Sequence, residues 1–197
     1  MSKDRLEAFM DAVLAIIMTI LVLELPKPYP MTIEGVLALR DSYICYILSF
    51  FWLGTMWVNL HNEWHQIKII NKKVVWLGIV LLFVTSWIPY SMSVVTKYPT
   101  IKLALVLYGM SVLLVTLVNL WLSVALYQCH VDIEECDSQQ HAWYMRVRYI
   151  SDIAIKIIGI ILSATVFPAA IIFAVLITTV WSWLPIEKWY KKESPDR

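Results

Sequence analysis

The strongest constraint on the fold is an apolar run near the start of the chain. No charged residue occurs from Ala12 to Leu23, whereas Asp11 and Glu24 stand directly at its two ends. Because a helix rises about 1.5 Å per residue, roughly 20 apolar residues cross a hydrocarbon core of about 30 Å. An ionisable residue at the edge of such a segment is costly and marks a candidate functional site. The run is therefore predicted to be a membrane span, and its role depends on what each of its faces contacts.

Similar apolar runs recur along the whole chain. Hydrophobic residues make up 60% of the sequence and charged residues 16%, with a mean hydropathy of +0.69. This composition leaves too few polar residues to cover a globular surface. We therefore predict an all-α integral membrane protein with one domain, residues 1–197, and six membrane spans. The approximate bounds of these spans are 5–25, 34–60, 74–95, 101–127, 145–166 and 169–184. Thr32 is expected to cap the second segment, and Pro89 to kink the third.

Charge outside the spans predicts the orientation. Six spans place both termini on one side, and most Lys and Arg residues of the connections and tails fall on that side. The positive-inside rule then puts both termini in the cytoplasm. We therefore expect a multi-pass protein of the plasma membrane. The net charge of +1 gives no reason to expect a nucleic-acid partner. Three cysteines form no disulfide framework, and the sequence has no glycine-rich phosphate loop or hydrolase motif, so we expect no enzyme.

A helical wheel separates two faces of the first span. At roughly 100° per residue, an aliphatic stripe lies on one side with Thr19 at its edge. The stripe consists of Phe9, Ala12, Ile16, Ile20 and Leu23. Asp11 lies roughly 140° from Ile16 on this wheel, so the two side chains are not expected to face the same partner. The stripe itself is compatible with lipid, with a neighbouring helix, or with a pore whose aliphatic constrictions gate by dewetting.

The end of the second span offers partners for the carboxylate of Asp11. Trp57, Asn59 and His61 are predicted to lie at the same depth as Arg5 and Asp11. The indole N–H, the imidazole and the guanidinium can each donate a hydrogen bond to a carboxylate. We interpret this cluster as a clamp between the first two spans, without a direct chemical role.

Two further groups of residues contain possible metal ligands. His61 and His65 share a helix face, but the sequence lacks the H-E-x-x-H order of zinc peptidases. The second pattern, Cys129-His130 with Cys136 and His141, has no recognised ligand spacing, so no metal site is predicted.

Asp152 and Lys156 are spaced i, i+4 in the fifth span, which predicts an intrahelical pair that lowers the cost of burying charge. The alternative function for this pair is proton coupling in a secondary transporter. Such folds usually show internal repeats and broken helices, and the sequence shows neither clearly.

The first span also resembles a known family. The matching residues are Arg5, Phe9, Asp11, Ala12, Val13, Ala15, Ile16 and the run from Thr19 to Glu24. They are similar to the first helix of the transmembrane protein 175 family of potassium channels, which carries an Arg-x3-Phe-Ser-Asp signature. The similarity continues in Trp57-Val-Asn59-Leu-His61, around Pro89 and in Leu107-Tyr108-Gly109. Met10 departs from the signature, because the family has Ser at this position.

This resemblance implies a potassium-preferring cation channel, a homotetramer in the lipid bilayer with the first helices lining a central pore. It implies that Ile16 forms the narrowest hydrophobic constriction, with further rings at Ile20 and Leu23, in place of a carbonyl selectivity filter. Thr19 would contribute a hydroxyl layer linked to potassium preference. Arg5, Phe9, Asp11, Trp57 and His61 match the network that supports the pore helix. Monovalent cations would be the permeant partners, and no cofactor is implied. Prokaryotic members carry one six-helix unit and are less selective than animal members.

Overall fold

The computed structural model describes residues 2–183 except 66, 68 and 132–137. The regular elements of these residues are α-helices, as the apolar runs predicted. In chain order they are α1 (Lys3–Leu23), α2 (Ile33–Leu37), α3 (Arg40–His65), α4 (Lys72–Thr85), α5 (Ile88–Lys97), α6 (Lys102–Val131), α7 (Ser138–Thr165) and α8 (Ala170–Trp183). Cys136, the acidic connection around it and the basic tail after Trp183 lie outside the described residues.

Two of the predicted spans consist of two helices each. In the second, Thr32 caps α2 as predicted, since its Oγ1 accepts a hydrogen bond from the Gly35 amide at 3.2 Å. Helix α2 ends at Leu37, however, and a separate long helix, α3, follows it. In the third, α4 ends just before Pro89, which occupies the first turn of α5. Proline lacks the amide proton that a continuous helix needs, so the predicted kink is a break between two helices.

Four segments within the described ranges are long and apolar enough to cross a membrane. They are Lys3–Leu23, Arg40–His65, Lys72–Lys97 and Lys102–Cys129. Helix α8 is apolar but shorter, and the sequence of α7, which begins at Ser138, is polar in its first half. The chain is therefore a multi-pass helical membrane protein. The total of six spans remains a prediction.

Helix α6 lies at the centre of the packing and contacts α4, α5 and α7, while α8 packs on α7 and α3. Gly159 permits the closest of these approaches. A Cβ atom at this position would lie 2.6 Å from the Ala174 Cβ of α8. Gly109 of α6 similarly faces Ile160 and Ile171. On the other side of the bundle, α1 packs on α3, α4 and α5, so it belongs to the edge of the subunit.

Candidate pore helix and its supporting contacts

One face of α1 is buried against its own subunit. Its five buried side chains are between 0% and 4% exposed and recur every three or four residues: Leu6, Met10, Leu14, Ile17 and Leu21. This spacing is typical of a helix stripe packed on neighbouring helices. Met10, which replaces the family's serine, belongs to this stripe, and its Sδ lies 3.0 Å from a Cβ placed on Gly78 of α4. Met10 therefore fills a close contact between α1 and α4.

The face of α1 on the other side of the helix is apolar and uncovered in the single chain. Phe9 is 51% exposed, Ile16 57% and Leu23 78%. Ile20 is half-buried, whereas Thr19 is exposed. In water such a surface would be unfavourable, so lipid or another subunit covers this stripe.

Thr19 adds a polar oxygen to this face. Its Oγ1 donates a hydrogen bond to the Ile16 carbonyl oxygen at 2.8 Å. Hydroxyl groups inside helices commonly bond to a carbonyl of the preceding turn in this way. Because the hydroxyl proton is used within the helix, the oxygen can present lone pairs outward. The chemistry of Thr19 therefore suits the binding of a cation or of a water molecule in a cation's hydration shell.

Asp11 is held by α3. The Trp57 indole Nε1 donates to the Asp11 Oδ1 at 2.8 Å. The ring of His61 stacks on Trp57, with the ring centroids 5.7 Å apart and an angle of 27° between the planes. A hydrogen bond from a neutral donor to an ionised carboxylate is stronger than one between two neutral groups. The contact links α1 to α3 on a side of α1 away from the exposed stripe.

The rest of the expected cluster is arranged differently. His61 lies near Glu7, with the Nδ1 to Oε1 distance 3.6 Å, and Lys3 lies 3.9 Å from the same carboxylate. The Arg5 side chain is exposed and makes no ion pair with Asp11 within the described residues. Sequence reasoning missed Glu7, although its i, i+4 spacing with Asp11 was visible and places both acids on one side of α1.

A second polar group lies on the side of α3 that faces away from α1. Arg148 of α7 donates to the Asn59 Oδ1 and to the Ser182 carbonyl oxygen, both at 3.2 Å. The Tyr149 hydroxyl donates to the Glu63 Oε1 at 3.2 Å. Sequence analysis assigned no role to Glu63. Its i, i+4 spacing with Asn59 was the available signal.

The predicted pair of Asp152 and Lys156 is present. The Lys156 Nζ lies 2.7 Å from the Asp152 Oδ2 and 2.8 Å from the Thr116 Oγ1. It also lies 5.4 Å above the centroid of the Trp52 ring. Lys156 therefore joins α7 to α6 and α3, and its ammonium is surrounded by one charged and two neutral partners.

The described residues contain no group of three or more His, Cys, Asp and Glu side chains arranged to hold a metal ion. His61 and His65 stack edge to face with ring centroids 5.3 Å apart. The other sequence pattern cannot be placed in full, since Cys136 lies outside the described residues and the side chains of His130 and His141 are not described.

Fold and site together define a multi-pass helical membrane protein whose first helix is held by polar contacts and exposes an apolar stripe. A family model described as the endosomal/lysosomal potassium channel TMEM175 matches residues 5–89. A potassium channel of Chryseobacterium sp. (strain P1-3) is 29% identical over 181 residues, which cover 92% of this chain and 93% of that protein. A potassium channel of Chamaesiphon minutus is 32% identical over 129 residues, which cover 59% of this chain and 63% of that protein.

A potassium channel of Streptomyces collinus is 31% identical over 100 residues, covering 49% of this chain and 48% of that protein. The resemblance to the TMEM175 family of potassium channels seen in the sequence is confirmed by this family model and by the relatives named as potassium channels. The fold is also similar to the crystal structure of a lysosomal potassium-selective channel TMEM175 homolog from Chamaesiphon minutus. The TM-score is 0.66 at 24% identity, over 92% of this chain and 98% of that one.

Proposed function

We propose that the chain is one subunit of a homotetrameric, potassium-preferring cation channel whose pore is lined by α1. The observation that carries this proposal is the exposed apolar stripe of α1, formed by Phe9, Ile16 and Leu23. Among the four candidate spans of the described chain, α1 has the smallest buried share. A helix at the edge of its own subunit, held there by polar contacts, is well placed to meet copies of itself. The relatives named as potassium channels support the choice of ion.

The proposed constriction consists of Ile16, Ile20 and Leu23. Leu23 follows Ile16 by seven positions, so the apolar section is about 10 Å long at a rise of about 1.5 Å per residue. Four such helices around one axis give rings of aliphatic side chains that exclude water when narrow. Ions then pass when the rings dilate and the section fills with water. Thr19, between the rings of Ile16 and Ile20, supplies the oxygen layer that favours potassium.

The polar contacts of α1 serve as the support of the pore helix. Asp11 and Trp57 fix the rotation of α1 about its own axis, and His61 stacks on the indole. Arg5 and Phe9 lie on the exposed part of the helix, where a neighbouring subunit is their proposed partner. The channel is proposed to work in the plasma membrane with both termini in the cytoplasm, with monovalent cations as its permeant ions and no bound cofactor.

The test uses planar bilayers containing the purified protein, with potassium and sodium chloride on opposite sides. Ile16→Asn places a polar side chain in the proposed ring and is expected to raise the conductance and weaken potassium preference. The matched control is Ile158→Asn on α7, because Ile158 is 56% exposed and Ile16 57%. The control is expected to leave both quantities unchanged, since its side chain faces lipid in this proposal.

Native mass spectrometry of the same samples measures the number of subunits, which is expected to be four. Equal currents in Ile16→Asn and wild type, with the tetramer intact, contradict a pore along this face. Equal effects of Ile16→Asn and Ile158→Asn contradict it as well, because they show a general response of the membrane region to an added polar side chain.

A further inference from the structure

The C-terminal part of α3 carries two polar pairs that point to different helices. Trp57 and His61 contact α1, whereas Asn59 and Glu63 contact α7. Residues two apart on a helix point about 200° away from one another, and residues four apart share a face. The carboxyl group of Glu63 therefore lies in an interface of α3, α6 and α7 that is separate from the contacts of the proposed pore helix.

The Glu63 carboxyl group belongs to a cluster around one phenol. The Tyr149 hydroxyl donates to Glu63 Oε1 at 3.2 Å and lies 2.7 Å from the Ser123 Oγ. The Asn119 Nδ2 donates to the same phenol oxygen at 3.3 Å. Ser123 also lies within hydrogen-bonding reach of the carboxyl group. Helices α3, α6 and α7 thus each contribute a polar side chain.

The cluster has more buried acceptors than donors. The Glu63 Oε2 and the Asn119 Oδ1 are both buried, and neither has a hydrogen-bond partner in the described part of the chain. An ionised carboxylate can only accept hydrogen bonds, and an amide oxygen likewise only accepts. Buried acceptors are normally paired, so each exception requires an explanation. One additional proton on the carboxyl group would turn Oε2 from an unpaired acceptor into a donor.

Among the described side chains, no cation forms an ion pair with the carboxyl group. The charge of Arg148 acts on it from α7, but the Arg148 Nη2 donates to the neutral Asn59 and to the Ser182 carbonyl oxygen. Among the described residues, no Lys, Arg or His nitrogen lies within 4.0 Å of a Glu63 oxygen. The two members of the cluster that α6 contributes, Ser123 and Asn119, are neutral. A negative charge here would be buried with hydrogen bonds from hydroxyl groups as its main compensation.

We propose that Glu63 is a proton-binding site that joins α3 to α6 and α7. A proton from solvent forms an O–H bond at Oε2, which becomes a donor toward the cluster, while Oε1 still accepts from Tyr149. Proton uptake removes the buried charge and adds a hydrogen bond at the interface. The folded chain therefore holds a proton that the unfolded chain releases, and this interface is tightest in the protonated form.

The first test compares thermal unfolding of detergent-solubilised wild type and Glu63→Gln over a pH series. The amide mimics the protonated carboxyl group and does not titrate. Stability of the wild type relative to the variant is expected to fall as pH rises. The wild-type unfolding equilibrium constant grows by up to tenfold per pH unit relative to the variant, as release of one proton requires. Parallel curves for the two proteins at every pH overturn the proposal.

Glu34→Gln is the matched control, because Glu34 is exposed in α2 and undergoes the same chemical change. This control is expected to follow the wild-type curve. A wild-type stability that rises with sodium or potassium at fixed pH, with no such rise in Glu63→Gln, identifies a bound metal cation instead and overturns the proton assignment.

A second test does not depend on the folding of Glu63→Gln. Tyr149→Phe removes the hydroxyl that donates to Glu63 Oε1 and stabilises the ionised carboxylate, so proton release is expected to move to higher pH. Infrared difference spectra of the wild type recorded during a pH titration follow the carbonyl band of a protonated carboxylic acid. No band from a buried protonated carboxylic acid in the wild type, or a shift of its titration to lower pH in Tyr149→Phe, overturns the proposal.

Discussion

The ion pair between Asp152 and Lys156 is expected to respond differently to the loss of each partner. The Lys156 side chain is 1% exposed, whereas that of Asp152 is 19% exposed. Breaking a buried ion pair by removing one partner costs about 3–5 kcal/mol, because an uncompensated charge remains. The loss in the free energy of unfolding therefore depends on which of the two charges remains.

Asp152→Asn leaves the lysine charge with the Thr116 hydroxyl, the Trp52 ring and a neutral amide. We expect a loss of about 4–5 kcal/mol in the free energy of unfolding, at the upper end of that range. Lys156→Met leaves a carboxylate that is less buried than the lysine, so a loss of about 3 kcal/mol is expected. Replacing both residues, as Asp152→Leu with Lys156→Met, leaves no buried charge and is expected to be close to neutral.

The assay is thermal unfolding of the purified protein in detergent, with all variants measured at the same pH and protein concentration. A loss of 1 kcal/mol lowers Tm by about 2–4 °C for a chain of this size, so the single variants are well resolved. Single variants that both lie within 1 kcal/mol of wild type refute the reasoning. A double variant less stable than either single variant refutes it too, since it shows that the charges contribute net stability.

The same variants separate the channel from the proton-coupled transporter. If the pair only braces α7 against α6 and α3, the double variant is expected to retain wild-type potassium current in planar bilayers. Saturable, proton-driven flux in the wild type that disappears in the double variant, with the fold intact, indicates that Asp152 and Lys156 carry coupling protons.

Two further predictions concern the packing of single helices. Trp57→Phe keeps a ring against His61 but removes the donor to Asp11, and because both groups are partly exposed a loss of about 1.5 kcal/mol is expected. A double-mutant cycle with Asp11→Ala measures this coupling, and a coupling near zero would show that the hydrogen bond does not hold α1. Gly159→Ala forces a Cβ to within 2.6 Å of Ala174 and is expected to cost about 1–3 kcal/mol in thermal unfolding. Gly54→Ala, whose Cβ meets only the flexible Met18 end at 3.6 Å, is the control and is expected to be neutral or stabilising.

Part of the site was predictable because its residues belong to one helix or to one turn. Asp152 and Lys156 lie four residues apart, so their contact follows from helix geometry alone. The separation of Asp11 from Ile16 follows from the same geometry. The contact between Trp57 and Asp11 required an estimate of depth in the membrane, and this estimate was adequate because polar residues concentrate near span ends. The position of Glu7 beside His61 was missed, since the choice between two acids on the same side of α1 depends on how α1 and α3 are placed.

The sequence by itself determined the helical membrane character of the chain and its resemblance to the TMEM175 family, because long apolar runs and the similarity from Arg5 to Glu24 are local properties. It also determined which residues of α1 share a face. Only the tertiary structure decided which face of α1 is buried, since two stripes of this helix are equally apolar in sequence. The buried stripe contains Leu6, Met10 and Leu14, and the exposed one contains Ile16 and Leu23. Burial depends on where α3, α4 and α5 pack, and these helices are distant in the chain. For the same reason, the acceptor-rich cluster at Glu63 emerged only when three helices were brought together.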